Sequence, residues 1–244
     1  MKAMILAAGF GRRLLPVTKR VPKTLVAVKG RPALIWIVEQ LERNGFEEIL
    51  INTHHLHGRI EEFVAKLNTS CRITLSHEPE ILGTGGGLLN ARAFLKDESC
   101  YVCNGDILSD LDIPDFIACH RSGGNEVTLA VNDIESPSML LVDANGKFCG
   151  RLVGGKWTLH ADPCGSPTAK GFAGAHLIEP SFFARNHPTN RFSIINRYTD
   201  LVRQGVTIST YDTKGAYWID IGTWNSLERA NREFKGFRTT PPRR

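Results

Sequence analysis

The stretch Lys2-Ala3-Met4-Ile5-Leu6-Ala7-Ala8-Gly9-Phe10-Gly11-Arg12-Arg13-Leu14-Leu15-Pro16, followed by Val21-Pro22-Lys23-Thr24-Leu25, decides the fold. Its apolar run reads as a buried strand, and the two glycines that end it let backbone N–H groups approach an anion closely. Arg13 and Lys23 add cations where the charge of a polyphosphate would collect. Two familiar phosphate-binding designs are excluded by spacing. A dinucleotide fingerprint needs a third glycine where Leu14 stands, and Pro16, Pro22 and Pro32 interrupt the helix it should open. A Walker loop needs Gly-Lys-Ser/Thr after four intervening residues, and neither Gly9 nor Gly11 has that continuation.

Working outward, strand and helix signals alternate. Residues 32–44 read as a helix with Leu34, Ile37, Val38 and Leu41 on one stripe, stopped by Gly45. Residues 48–52 read as a strand, 59–67 as a helix and 72–76 as a strand. A second glycine-rich loop, Glu78 to Gly87, then runs into a helix that ends at Leu95. Residues 99–103 form a fourth strand ending in Asn104-Gly105-Asp106, and Asp112-Ile113-Pro114 caps the next helix. This alternation predicts an α/β fold with a doubly wound, mostly parallel, Rossmann-like sheet. Ligands of such sheets sit beyond the carboxyl ends of the strands, where the two glycine loops and Asn104 to Asp106 would meet. Beyond residue 125 the pattern changes: Asn145-Gly146 between two apolar runs marks a hairpin, which predicts an antiparallel subregion facing the second substrate. Further strands at 171–178, 206–211 and 216–219 and helices at 193–204 and 224–234 complete one domain over 1–236. Its lobes are expected at about 1–125 and 126–222, with a disordered basic tail at 237–244.

The 244 residues carry a net charge of +5, too small and too scattered for a nucleic-acid surface. No apolar stretch approaches the ~20 residues of a membrane span, and no secretory signal is visible, so a cytoplasmic enzyme without membrane or nucleic-acid partners is expected. Six cysteines fit no disulfide framework, and Cys100 and Cys103, three apart in a strand, point to opposite faces. His54, His55 and His57 read as solvated loop histidines rather than metal ligands. Asp106 and Asp220 each end a short apolar strand, the arrangement in which two carboxylates present a Mg²⁺ ion to phosphates.

Five motifs occur in order: Leu6 to Pro16, Pro22-Lys23, Leu82-Gly83-Thr84-Gly85-Gly86, Asn104-Gly105-Asp106 and Trp218-Ile219-Asp220-Ile221-Gly222-Thr223. With them the chain, over nearly its whole length, resembles the sugar-1-phosphate nucleotidyltransferases, and within that family the short members without a C-terminal left-handed β-helix. The resemblance implies that Ala8, Gly9, Gly11, Gly83, Thr84 and Gly85 line the nucleotide. By the same likeness Arg13 and Lys23 hold its phosphates, with Asp106 sharing in catalysis, and Asp106 and Asp220 bind Mg²⁺. Asn104 and Gly174, the latter in Phe172-Ala173-Gly174, would face the sugar phosphate. Arg12 stands where many members have threonine and receives no role. No Glu-Lys-Pro segment is present, which leaves Lys156 and Lys170 as candidates for its lysine.

The implied reaction joins a nucleoside triphosphate to a sugar 1-phosphate, giving a nucleotide sugar and pyrophosphate. UTP or GTP with a hexose, amino-sugar acid or heptose phosphate is favoured, in a monomer or small homo-oligomer. Two alternatives stay open: a cytidylyltransferase for an alcohol phosphate such as phosphocholine, and a catalytically silent nucleotide or nucleotide-sugar sensor.

Overall fold

The computed structural model describes residues 1–188 and 191–237. Its strands are β1 (Lys2–Leu6), β2 (Ala27–Val28), β3 (Arg31–Pro32), β4 (Glu48–Thr53), β5 (Arg72–His77), β6 (Cys100–Asn104) and β7 (Ile107–Ser109). They continue with β8 (Val127–Asn132), β9 (Ser138–Val142), β10 (Phe148–Val153), β11 (Lys156–Leu159), β12 (Thr168–Ile178), β13 (Ser209–Asp212) and β14 (Trp218–Asp220). The helices are α1 (Ala33–Arg43), α2 (His57–Val64), α3 (Gly83–Asn90), α4 (Arg92–Leu95), α5 (Ile113–Gly123), α6 (Pro180–Ala184), α7 (Ile194–Arg203) and α8 (Trp224–Glu233).

Among the described residues, ten strands form one sheet in the order β11-β10-β9-β12-β6-β1-β4-β5, with β8 joined to β12 and β13 to β8. Strands β6, β1, β4 and β5 are parallel. The long β12 runs antiparallel to β6, β8 and β9, and β9, β10 and β11 form an antiparallel meander turning at Gly146. The fold is therefore an α/β arrangement, as expected, of a mixed sheet with helices on both faces.

Strand β1 is buried on both faces, as a central parallel strand must be. Ala3 and Ile5 join one core with Leu34, Ile37, Val38 and Leu41 of α1, Phe116 of α5 and Leu227 of α8. Met4 joins the other with Leu88 of α3 and Tyr198 and Leu201 of α7. Cys103 belongs to the first core and Cys100 to the second, as the period of a strand requires. Local signals act as expected: Gly45 stops α1 with φ 79°, Asp112 accepts from Asp115 N–H at 2.9 Å, and Thr223 and Ser226 form a capping box on α8.

Several boundaries differ: α2 ends at Val64 rather than Leu67, β12 begins at Thr168 rather than Gly171, and β14 begins at Trp218 rather than Ala216. Helix α2 begins at His57 rather than Arg59, β13 begins at Ser209 rather than Val206, and Gly83 to Gly87, expected as a loop, form the start of α3. The basic tail lies, apart from Phe237, outside the described residues; Phe237 packs edge-on against Phe234. Among the described residues no helix is long and apolar enough to cross a membrane.

The sheet reverses winding direction at β1, which has β4 on one side and β6 on the other. The segments after β1 and β6 leave the sheet side by side there, and in sheets of this kind the ligand crevice lies at such a point.

Candidate active site

Four of the expected residues converge at that crevice. Gly105 N–H donates to Leu6 O at 2.9 Å, which draws the end of β6 onto the end of β1. A side chain at Gly105 would meet Thr24 Cγ2 at 2.7 Å, so glycine is needed for this approach. The next residue, Asp106, pairs with Lys23 Nζ. Strand β14 lies antiparallel to β7, with Asp220 opposite Ile107, and Ile221 N–H donates to Asp106 O at 2.9 Å. Asp220 is thereby set beside Asp106 although 114 positions separate them in the chain.

Lys23 Nζ lies 3.6 Å from Asp220 Oδ1, so one ammonium is shared by both carboxylates. Arg13 reaches Asp220 Oδ2 at 3.7 Å from the solvent side, with 64% of its side chain exposed against 12% for Lys23. Gly222 N–H donates to Asp220 Oδ1 at 2.6 Å and orients it. The loop that carries Arg13 is held by Gly11, which adopts φ 64° and whose Cβ position lies 2.8 Å from Thr18 Cγ2. Thr18 Oγ1 in turn donates to Gly11 O at 2.9 Å. At Gly9 a Cβ would meet nothing within 4 Å, and the residue is exposed beside the buried Ala8.

Asn104 and Gly174 also come together. Gly174 has φ 77°, and a Cβ there would stand 3.1 Å from Asn104 Nδ2 and 2.3 Å from Ile107 Cδ1. Trp218 Nε1–H donates to Ala173 O at 2.8 Å, fastening β14 to this part of β12. Cys103, next to Asn104, is no nucleophile: burial, reinforced by the charge of Asp106, pushes its thiol up to about 12.

Gly83, Thr84 and Gly85 open α3 and pack against the segment that leads into α7. Gly83 has φ 73° with Phe192 O 2.6 Å from its Cβ position, and a Cβ on Gly85 would stand 2.1 Å from the Phe192 ring. Thr84 Oγ1 accepts Ile194 N–H at 2.9 Å, at the start of α7. These glycines admit Phe192, a packing role that spacing along the chain does not reveal.

The three histidines require a correction: none is a free, solvated loop side chain. His54 Nδ1–H donates to Glu78 O at 2.8 Å, His55 Nε2–H donates to Thr18 O at 2.8 Å, and both rings pack against Phe10. His57 Nδ1 bonds Thr53 Oγ1 at 2.9 Å. His54 and His55 thereby support the first glycine loop, and Phe10 in turn carries the Arg12 guanidinium 5.1 Å from its ring centroid. Lys170 is held by Asp133 at 2.6 Å and Asp212 at 2.8 Å, and these two hydrogen bonds raise its pKa. Lys156 is exposed on β11.

Among the described residues no group of three or more His, Cys, Asp or Glu side chains is placed to hold a metal. The donor set at the crevice is thus two carboxylates gathered on one cation. Such a pair fits Mg²⁺, which takes one or two protein carboxylates and fills its shell with water and phosphate oxygens.

Comparison with known proteins agrees with this fold. A family profile described as "Nucleotidyl transferase" matches residues 2–140. The mannose-1-phosphate guanylyltransferase catalytic subunit beta of Danio rerio is 37% identical over 228 residues, covering 91% of this chain and 61% of that protein. The mannose-1-phosphate guanyltransferase beta-B of Xenopus laevis is 36% identical over 231 residues with the same coverages, so the chain spans about three fifths of these relatives. Among solved structures, HddC from Yersinia pseudotuberculosis complexed with GMP-PN has a TM-score of 0.78 at 25% identity, covering 96% of this chain and 99% of that one. The UTP-bound UGPase from Acinetobacter baumannii, 18% identical with a TM-score of 0.72 over 95% of this chain and 92% of its own, shares the fold.

Proposed function

The chain belongs to the nucleotidyl transferase family, and from that premise we propose that it transfers a nucleoside monophosphate from a nucleoside triphosphate to a sugar 1-phosphate, releasing pyrophosphate. The carrying observation is the cluster in which Lys23 joins Asp106 to Asp220 while Arg13 flanks Asp220. The guanylyltransferase relatives and the HddC complex with GMP-PN support GTP as donor and a hexose 1-phosphate such as mannose 1-phosphate as acceptor.

A phosphate oxygen of the sugar 1-phosphate attacks the α-phosphorus. The new P–O bond forms as the bond from that phosphorus to the bridging oxygen breaks, and the electron pair leaves with pyrophosphate. The attacking phosphate is already ionised near neutral pH, so no general base is required. The obstacle is repulsion between two anions, and the chain answers it with positioning and charge. Backbone N–H groups around Ala8, Gly9 and Gly11 take the triphosphate, Arg13 and Lys23 neutralise it, and Asn104 and Gly174 border the sugar. Asp106 and Asp220 would hold Mg²⁺, which when bound supplies charge neutralisation at the reacting phosphates. In this reading the half within residues 1–125 serves the nucleotide and 126–222 the sugar. Six free thiols suit a reducing compartment, the cytoplasm.

Pyrophosphate release by the purified protein, measured for four nucleoside triphosphates against a panel of sugar 1-phosphates with phosphocholine included, tests the proposal. GTP with mannose 1-phosphate is expected to be the fastest pair. Silence with every sugar 1-phosphate, or release confined to CTP with phosphocholine, overturns it.

A further inference from the structure

Two polar side chains outside the cluster are almost wholly removed from solvent, Asn52 at 2% and Glu78 at 0% exposure. They form one chain of hydrogen bonds. Ala7 N–H, at the end of β1, donates to Asn52 Oδ1 at 2.7 Å; Asn52 Nδ2–H donates to Glu78 Oε1 at 2.7 Å; and Leu82 N–H, at the start of α3, donates to Glu78 Oε2 at 3.0 Å. Both ends of the relay are backbone donors, so the pair between them must present three acceptors and one donor. An amide and a carboxylate do so, whereas two amides or two carboxylates do not. Burying the charge is offset by these donors and by the helix N-terminus beside it.

The relay links the first glycine loop to the start of α3, the second segment that the family resemblance sets against the nucleotide. A parallel link runs from Glu78 O to His54 Nδ1–H, and from the His54 ring to Phe10, with ring centroids 5.1 Å apart. Gly87 completes the enclosure: a Cβ there would stand 2.5 Å from Glu78 Oε1 and 2.6 Å from Asn52 Nδ2. Simple space filling would need neither a buried carboxylate nor this order of donors and acceptors.

We propose that Asn52 and Glu78 are positioning residues which lock the first glycine loop to the start of α3, so that triphosphate and base are held by one frame. The inference rests on the nucleotide site proposed above. In Glu78→Gln an amide hydrogen faces one of the two N–H donors, and GTP binding by titration calorimetry and the KM for GTP should weaken by about tenfold, the order of a lost buried hydrogen bond. The KM for mannose 1-phosphate should stay within about twofold, a split that general loosening of the fold does not produce. The exchanged pair Asn52→Asp with Glu78→Gln again presents three acceptors and one donor, and should return GTP affinity to within about threefold of wild type. A folded Glu78→Gln protein with wild-type GTP affinity overturns the inference. So does an exchanged pair that binds GTP as weakly as Glu78→Gln or that does not fold, since every pairing is kept in it. Where Glu78→Gln itself does not fold, the exchanged pair alone decides. Wild-type protein that binds GTP but transfers to no sugar 1-phosphate overturns the proposed reaction and leaves this inference standing.

Discussion

A Cβ on Gly222 would stand 2.6 Å from Lys23 Nζ, 2.7 Å from Asp220 Oδ1 and 2.8 Å from Arg13 Nη2. This glycine lies in the last motif of the chain, yet its demand is visible only once Arg13 and Lys23, from the first 25 residues, meet Asp220 over it. The crowding atoms are the ends of flexible side chains, so Gly222→Ala should cost under about 1 kcal/mol of stability by thermal unfolding. Those same atoms handle the phosphates, and displacing them by an ångström should lower kcat/KM by about a hundredfold. Unchanged kinetics in a folded Gly222→Ala protein would remove the cluster from the reaction. Lys170 teaches the reverse lesson at this scale. Sequence reasoning offered it to the sugar, but residue type and position did not disclose Asp133 and Asp212, which hold its ammonium.

Helix α3 is where reading by element went furthest astray, because glycine costs about 1 kcal/mol relative to alanine in a helix interior and a run of four among five residues signals a loop. The helix forms nevertheless, with Phe192 covering Gly85 and the Asn52–Glu78 pair covering Gly87. Packing contributed by side chains outside the helix, one of them more than 100 positions away, outweighs propensity here. Gly85→Ala thus pits a propensity gain of up to about 1 kcal/mol against overpacking of a Phe192 ring 2.1 Å from the new methyl, and overpacking wins. Urea unfolding should show a net loss of about 1–3 kcal/mol; a stabilised variant would refute the packing explanation. By contrast, β1 and α1 were legible in the sequence. Their apolar periods coincide with the buried faces, and Gly45 ends α1 by a local rule that needs no distant partner. His54 and His55 after β4 were misread for the same reason as α3, since Phe10 and the Thr18 and Glu78 carbonyls reach them only in the folded chain.

Over the molecule as a whole, the ten-stranded sheet carries an uncompensated titratable group at its centre. His176 of β12 packs between Phe172 and Tyr198, neither ring nitrogen has a hydrogen-bond partner among the described residues, and burial lowers its pKa to about 3. The unfolded chain takes up this proton near pH 6.5 and the folded one does not, so the contribution to stability is full above pH 6.5. It is lost on acidification towards pH 3, at up to about 1.4 kcal/mol per pH unit. His176→Leu should flatten that limb of the Tm–pH curve relative to wild type; parallel curves would show that the imidazole is protonated in the fold. The parallel half and the antiparallel subregion after residue 125 followed from alternation and turn signals, whereas the order of strands and the switch point at β1 are set by pairings made only in the folded chain. The pairing of Asp106 with Asp220 came from motif order, and its geometry from β7 and β14 lying side by side. That pairing is tested most directly by incubating the protein with α-³²P-labelled GTP, mannose 1-phosphate and Mg²⁺. Label should pass into a nucleotide sugar with unlabelled pyrophosphate released, and Asp106→Asn and Asp220→Asn should each lower the rate by about a hundredfold or more while remaining folded. Transfer by either variant at the wild-type rate, or label recovered only as free GMP, would contradict it.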